Sequence, residues 1–291
     1  MTSVPVDRLV VALEERRAVL IDVIRRARGE ITLSLFRCND EEIFAELAAA
    51  TARGVDVDVL VTSRSKGGPR RRQKLWDGLE RTGASVHAYS DPVVKYHAKY
   101  LLADEGPAVV ASLNFTKKCF RKTCDAIVVT HDPAVVSGLR RLMAADRDRQ
   151  PIPADLSPRL IVGPEHARRQ FTGVIEQART SIRLIDAKLS DPELIALLRA
   201  KRAAGVNVEI YSANRVAGLK SHGKIMVIDD RLLVVGSMAL SAMSLDFRRE
   251  VSIVVEEPSA IAEARRLFAS ADAPAPEPPS AGGETAEGTL S

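Results

Sequence analysis

A chain of 291 residues with 46% hydrophobic and 27% charged side chains is too apolar for a disordered polyelectrolyte and long enough to bury one large core or two ordinary ones. Its formal net charge of +4 suits an anionic partner without specifying one. No apolar run reaches the roughly 18 residues of a membrane span, and the N-terminus lacks the pattern of a secretory leader, so the sequence reads as cytoplasmic with at most peripheral membrane contact.

In chain order, the first predicted elements lie in residues 16–62: an amphipathic helix ending in Ala-Arg, a short apolar strand, an acidic turn, a second helix, a glycine and a β-branched strand. The same template returns in residues 168–212. Ile24, Ile31, Leu47, Gly54 and Val55 correspond to Ile175, Ile182, Leu198, Gly205 and Val206 at a constant offset of 151. The glycines suit helix C-termini, where the chain turns left-handed before the next strand. Strands alternating with helices predict α/β halves with a largely parallel sheet.

Between Ser63 and Asp91 the first half carries an insertion of 26 residues relative to the second. It contains a Gly-Gly-Pro turn, a basic run from Arg70 to Lys74 read as a solvated loop that could meet an anionic substrate, and a helix around Leu75. Trp76 reads as packing. The three cysteines, Cys38, Cys119 and Cys124, have no Cys-x-x-Cys spacing and read as buried free thiols, with no structural metal. His87, His131 and His166 read as hydrogen-bonded core residues. Domain expectations follow: residues 1–143 as one half, 144–160 as a linker, 161–270 as the other half, and 271–291 as a disordered Pro/Ala/Glu/Gly tail.

The chemistry sits in two matching segments. His97, Lys99, Asp104, Ser112 and Asn114 stand opposite His222, Lys224, Asp229, Ser237 and Ala239 at an offset of 125, and Asp125 and Glu250 follow at the same offset. Histidine and lysine at i and i+2 of a strand point to one face and can address one ligand. Two imidazoles supply a nucleophile and a general acid near neutrality. Two ammonium groups supply fixed positive charge for a phosphoryl group.

This duplicated pattern resembles the phospholipase D superfamily signature, His-x-Lys-x4-Asp-x6-Gly-Ser-x-Asn, over roughly residues 5–270. The resemblance implies two pseudo-symmetric α/β halves, each a mixed β-sheet flanked by helices, with a single active site between them and no obligate oligomer. It implies that His97 is the nucleophile and His222 the general acid, that Asp125 and Glu250 orient the histidines, and that Asp104 and Asp229 are structural. Phosphate would be held by Lys99, Lys224, Asn114, Ser112 and Ser237, with no metal and no cofactor. Two positions depart from the signature: Ala111 replaces a glycine and Ala239 an asparagine, which removes one amide from the phosphate site. The expected reaction is cleavage or transfer of a phospholipid phosphodiester through a phosphohistidine. A nuclease acting on DNA or RNA and a non-catalytic phosphate receptor are the alternatives.

Overall fold

The computed structural model describes residues 6–64, 68–212 and 215–272. Of the tail expected at 271–291, residues 271–272 belong to the last helix and the rest lie outside the described residues, as does Gly67 of the Gly-Gly-Pro turn.

The first half runs β1 (Asp7–Val10), α1 (Leu13–Arg26), β2 (Glu30–Leu35), α2 (Glu41–Ala52), β3 (Asp56–Thr62), α3 (Gly68–Glu80), β4 (Ser85–Tyr89), β5 (Lys95–Tyr96), β6 (Tyr100–Ala103), β7 (Ala108–Ala111), α4 (Lys117–Lys122), β8 (Thr123–Cys124), β9 (Ile127–Thr130) and α5 (Pro133–Asp148). The second runs β10 (Leu160–Gly163), α6 (Ala167–Glu176), β11 (Ser181–Ile185), α7 (Pro192–Ala203), β12 (Asn207–Tyr211), β13 (Arg215–Val216), β14 (Leu219–Ser221), β15 (Ile225–Ile228), β16 (Leu232–Gly236), α8 (Ala242–Phe247), β17 (Arg248–Val255) and α9 (Pro258–Asp272). Helix α5 therefore continues into the segment expected as linker.

Each half builds one mixed sheet, in the order β1-β9-β7-β6-β2-β3-β4 and β10-β17-β16-β15-β11-β12. The sheets are less parallel than the alternation of strands and helices suggests. Among the described residues, parallel pairing within each half is limited to β2-β3-β4 and β11-β12, and between the halves β5 pairs with β17 and β8 with β14 in parallel. The β1-β9-β7-β6-β2 and β10-β17-β16-β15-β11 pairs are antiparallel. Gly54 and Gly205, at φ 84° and 91°, make the left-handed exits from α2 and α7. Strand β4 and helix α3 have no counterpart in the second half, and they are what the insertion builds.

The halves share a core rather than meeting across a polar interface. Tyr100, Leu102 and Val110 of one sheet and Ile225, Val227, Leu233 and Val235 of the other point into one buried cluster. Their neighbours Leu101, Val109, Met226 and Val234 face two outer clusters under α1–α2 and α6–α7. Because both faces of these strands are buried, their sequences are continuous apolar runs rather than alternating ones. Helices α5 and α9 insert Val135, Val136, Leu139, Leu142 and Met143 and, 125 positions on, Ala260, Ile261, Ala264, Leu267 and Phe268 into the shared core.

Repeated ion pairs brace the outer layers. Arg17 bonds Asp40 and Glu42, and Arg168, at the offset of 151, bonds Asp191 and Glu193. The Asp104 carboxylate accepts the backbone N–H groups of Arg28, Gly29 and Glu30, and that of Asp229 accepts those of Arg179, Thr180 and Ser181. Both aspartates adopt left-handed backbone, φ 47° and 54°. Each turns the chain after its strand, β6 or β15, and ties it to the start of the neighbouring strand.

Candidate active site

The two His-x-Lys stretches lead into strands rather than lying within them. Residues 97–99 and 222–224 fall outside the ladders, immediately before β6 and β15. Each stretch is a crossover. Strand β5 pairs with the other half, Lys95 with Arg248 and Tyr96 with Arg249, before the chain enters its own sheet. Strand β14 does the same, Lys220 with Thr123 and Ser221 with Cys124. A segment changing partners cannot complete either ladder, which frees its side chains for the seam between the halves. Gly223 is required there, since a Cβ would sit 2.7 Å from the Cys124 carbonyl oxygen.

The crossover fixes how the histidines are held. His97 Nδ1 lies 3.0 Å from Glu250 Oε1, and His222 Nδ1 lies 3.0 and 3.1 Å from the Asp125 carboxylate oxygens. Each imidazole is thus oriented by the carboxylate that follows the other motif. With Nδ1 donating to a carboxylate, the tautomer leaves Nε2 as the nitrogen available for chemistry. Both rings line one cavity of about 390 Å³, together with Asn114, Tyr96 and Phe36. The edge of Phe36 meets the His97 ring at 4.4 Å between centroids.

Lys99 is 1% exposed; its Nζ donates to the His97 carbonyl at 2.6 Å and lies 3.2 Å from His97 Nδ1. Lys224 Nζ donates to the His222 carbonyl in the same way. Burial, with Lys224 adding to it, pushes the Lys99 ammonium down to about 7. Burial and the Lys99 charge push His97 down to about 3, against the pull of Glu250, so at neutral pH the ring is unprotonated at one nitrogen. Burial raises both carboxylates, but His97 with Lys99 overcomes it at Glu250, and His222 with Thr123 and Lys224 overcomes it at Asp125. Both stay ionised below the usual carboxylate range.

Asp125 also accepts Ser112 Oγ at 2.7 Å and Thr123 Oγ1 at 2.6 Å. Here the structure corrects the expectation for the serines. The Ser112 hydroxyl is spent on Asp125, and the Ser237 hydroxyl donates to the Val251 carbonyl while accepting the Val251 N–H. At 1% exposure each, they stand behind the site rather than facing phosphate. Asn114 does line the cavity, and its buried Oδ1 has no hydrogen-bond partner. Ala239 occupies the equivalent position and is buried.

Several contributors escaped the sequence reading. Arg37 and Lys188 both line the cavity and sit at the offset of 151, so the repeat alignment held a signal for them. Arg64, Lys95 and Arg248 complete a lining that contains no carboxylate. Fully buried Arg16 donates to the carbonyls of Thr123 and Asp125 at 2.6 and 2.7 Å, pinning the backbone that carries Asp125. Asp186 accepts the N–H groups of Lys188 and Leu240, joining two rim loops. The expectation of core histidines fails for His87 and His131: the His87 side chain is 40% exposed beside Asp58, and His131 is exposed. Cys38, Cys119 and Cys124 are buried free thiols. The basic run lies on exposed turns of α3 rather than in a loop.

Among the described residues, one group has metal-ligand atoms in mutual reach: Cys119, Asp125 and His222, within 4.8 Å. Its carboxylate is already occupied by Ser112, Thr123 and His222. No helix among those residues is long and apolar enough to cross a membrane.

Residues 20–147 and 203–271 match the family described as cardiolipin synthase, PLD-like domain. Cardiolipin synthase A of Pseudomonas aeruginosa strain LESB58 is 31% identical over 127 residues, 43% of this chain; the match covers 26% of that protein. Among solved structures, polyphosphate kinase from Porphyromonas gingivalis superposes with a TM-score of 0.74 at 22% identity, over 90% of this chain and 46% of that one. Phosphatidylserine synthase from Haemophilus influenzae Rd KW20 gives 0.68 at 11% identity, over 91% and 86%. These superpositions establish a common fold.

Proposed function

This chain belongs to the phospholipase D superfamily, and from that premise we propose that it is a phosphodiesterase or phosphatidyltransferase working through a covalent phosphohistidine. The carrying observation is that each histidine of the single cavity is held at Nδ1 by the carboxylate of the opposite half. His97 Nε2 attacks phosphorus, and the bond to the departing oxygen breaks as His222 Nε2–H delivers its proton. Water or an acceptor alcohol then loses its proton to His222 and displaces His97. Lys99, Lys224 and Asn114 hold the non-bridging oxygens; with two ammonium groups in that role, the charge stabilisation needs no metal. Asp125 and Glu250 fix the tautomers and stabilise the imidazolium as it forms.

The family and the cardiolipin synthase relatives favour a phospholipid headgroup as substrate. A second reading, a nucleic-acid phosphodiester, has an observation of its own. The cavity lining carries Arg37, Arg64, Lys95, Lys188 and Arg248 and no aliphatic side chain. An acyl chain finds no berth there, whereas flanking phosphates do.

The test is to incubate the protein in EDTA with phosphatidylcholine, phosphatidylglycerol, single-stranded and duplex nucleic acid, beside His97→Ala and His222→Ala. Release of choline or glycerol supports the first substrate and strand cleavage the second. Activity that needs added metal, or that survives both alanine changes, overturns the mechanism.

A further inference from the structure

A second cavity, of about 860 Å³, is larger than the one that holds the two histidines. It is an open groove between α3, the loop after β2 and the start of α4. Phe36 and Arg37 line both this groove and the cavity of the two histidines, so the two spaces adjoin. Six cations line it, Arg37, Arg71, Arg72, Lys74, Arg81 and Lys118, against two acids, Glu41 and Asp77. That excess of four positive charges equals the formal net charge of the entire chain, +4; elsewhere the charges cancel.

The groove exists because of the insertion. Leu75 and Leu79 of α3 are buried in the outer core of the first half, and Gly78 brings the helix so close to Phe44 that a Cβ would stand 3.1 Å from the ring. This packing turns the basic face of α3 toward the cleft. Among the described residues, the second half has only the short β13–β14 hairpin at this place. Arg37 is held below its ordinary pKa by burial and by the nearby Arg71 charge, a repulsion that an arriving anion would relieve.

We propose that the α3 groove binds a single-stranded polyanion, a nucleic-acid strand, and feeds it toward the cavity between His97 and His222. The choice over a lipid follows from the walls. A diacyl lipid could offer this route one headgroup phosphate, whereas a strand repeats its phosphates along the groove and meets several cations at once. Because only the first half has the groove, the strand enters from one side, which gives a nearly symmetric site a defined substrate polarity. This proposal rests on the nucleic-acid reading of the site, but strand binding can be measured without turnover.

The experiment is fluorescence anisotropy with a labelled oligothymidylate, using the full chain with and without Arg71→Ala, Arg72→Ala and Lys74→Ala combined, across a salt series. The expected result is an affinity loss on the order of tenfold or more near physiological salt. The salt dependence, log K against log salt, should be shallower by about 2, since each lost single-strand phosphate contact removes ~0.7. The charge-preserving Arg71→Lys, Arg72→Lys variant should keep most of the binding, which separates charge from folding. Hydrolysis of a small chromogenic phosphodiester should be unchanged in all of them. No binding of the oligonucleotide overturns the proposal, as does binding indifferent to the triple change. So does a triple change that costs binding to phosphatidylglycerol vesicles and not to the strand. Bound but uncleaved strand would support the groove and remove the nuclease reading instead.

Discussion

The two halves of this molecule agree where the chemistry must be held and differ where a substrate must be told apart. His97 and His222, Lys99 and Lys224, Asp104 and Asp229, Arg17 and Arg168, and the buried stripes of α5 and α9 repeat at fixed offsets. Around this frame the halves diverge. Asn114 faces Ala239, Arg16 has its counterpart in Ala167, and Lys118 of α4 stands where α8 has the exposed Met243. Only the first half carries α3. Duplication has preserved what positions two imidazoles and left the rim free to vary. The crossed pairs, His97 with Glu250 and His222 with Asp125, add that each histidine is held by a carboxylate of the other half.

The largest expected effect breaks that crossing. Glu250→Gln and Asp125→Asn should each lower kcat by about 10²- to 10⁴-fold, as loss of an orienting carboxylate does in other triads. In ¹⁵N spectra Glu250→Gln should disturb the His97 ring and leave that of His222 in place. If it disturbs His222 first, the acids act within their own halves. Next come the symmetric braces. Asp104→Ala or Asp229→Ala should each cost about 2 kcal/mol of unfolding free energy, for three backbone amides left without their charged acceptor. Thermal unfolding should detect this while kcat of the folded fraction stays within about twofold.

A third, smaller effect concerns pH. Lys99 is held near 7, so its charge is lost as pH rises through that value, and kcat/KM should fall about tenfold per unit on the alkaline side. Lys99→Arg, which stays charged, should move that limb up by several units; an unmoved limb would assign it to another group. The smallest effect compares the strand ends. Gly236 cannot take a Cβ, which would lie 2.4 Å from the Val251 carbonyl oxygen, whereas the first half already holds Ala111. Gly236→Ala should therefore destabilise by about 1–3 kcal/mol, and Ala111→Gly by no more than about 1 kcal/mol.

Much of this could be read from the sequence, because duplication turns weak motifs into strong ones. The offsets of 151 and 125 located both His-x-Lys pairs, both motif aspartates, Asp125 and Glu250, the insertion and the helix-ending glycines. What could not be read depends on how the halves dock. Sequence order places Asp125 after the motif of His97, and only the β5–β17 and β8–β14 pairings reveal that it serves His222. Ser112 and Ser237 looked like phosphate ligands because hydroxyls near a motif suggest them; burial and a nearer acceptor decided otherwise. Arg37 and Lys188 become legible only when the repeat is laid over them, since lone cations after a strand carry no signal by themselves. The α3 groove needed Gly78 against Phe44 to become a wall rather than a solvated loop.

The most direct test of the central claim is to quench the protein during turnover of a labelled phosphodiester in EDTA and map the phosphoryl group by mass spectrometry. The mechanism predicts an acid-labile, base-stable adduct on His97, absent from His97→Ala and accumulating in His222→Ala when the leaving group needs no proton. An adduct on neither histidine under conditions of full activity would contradict it.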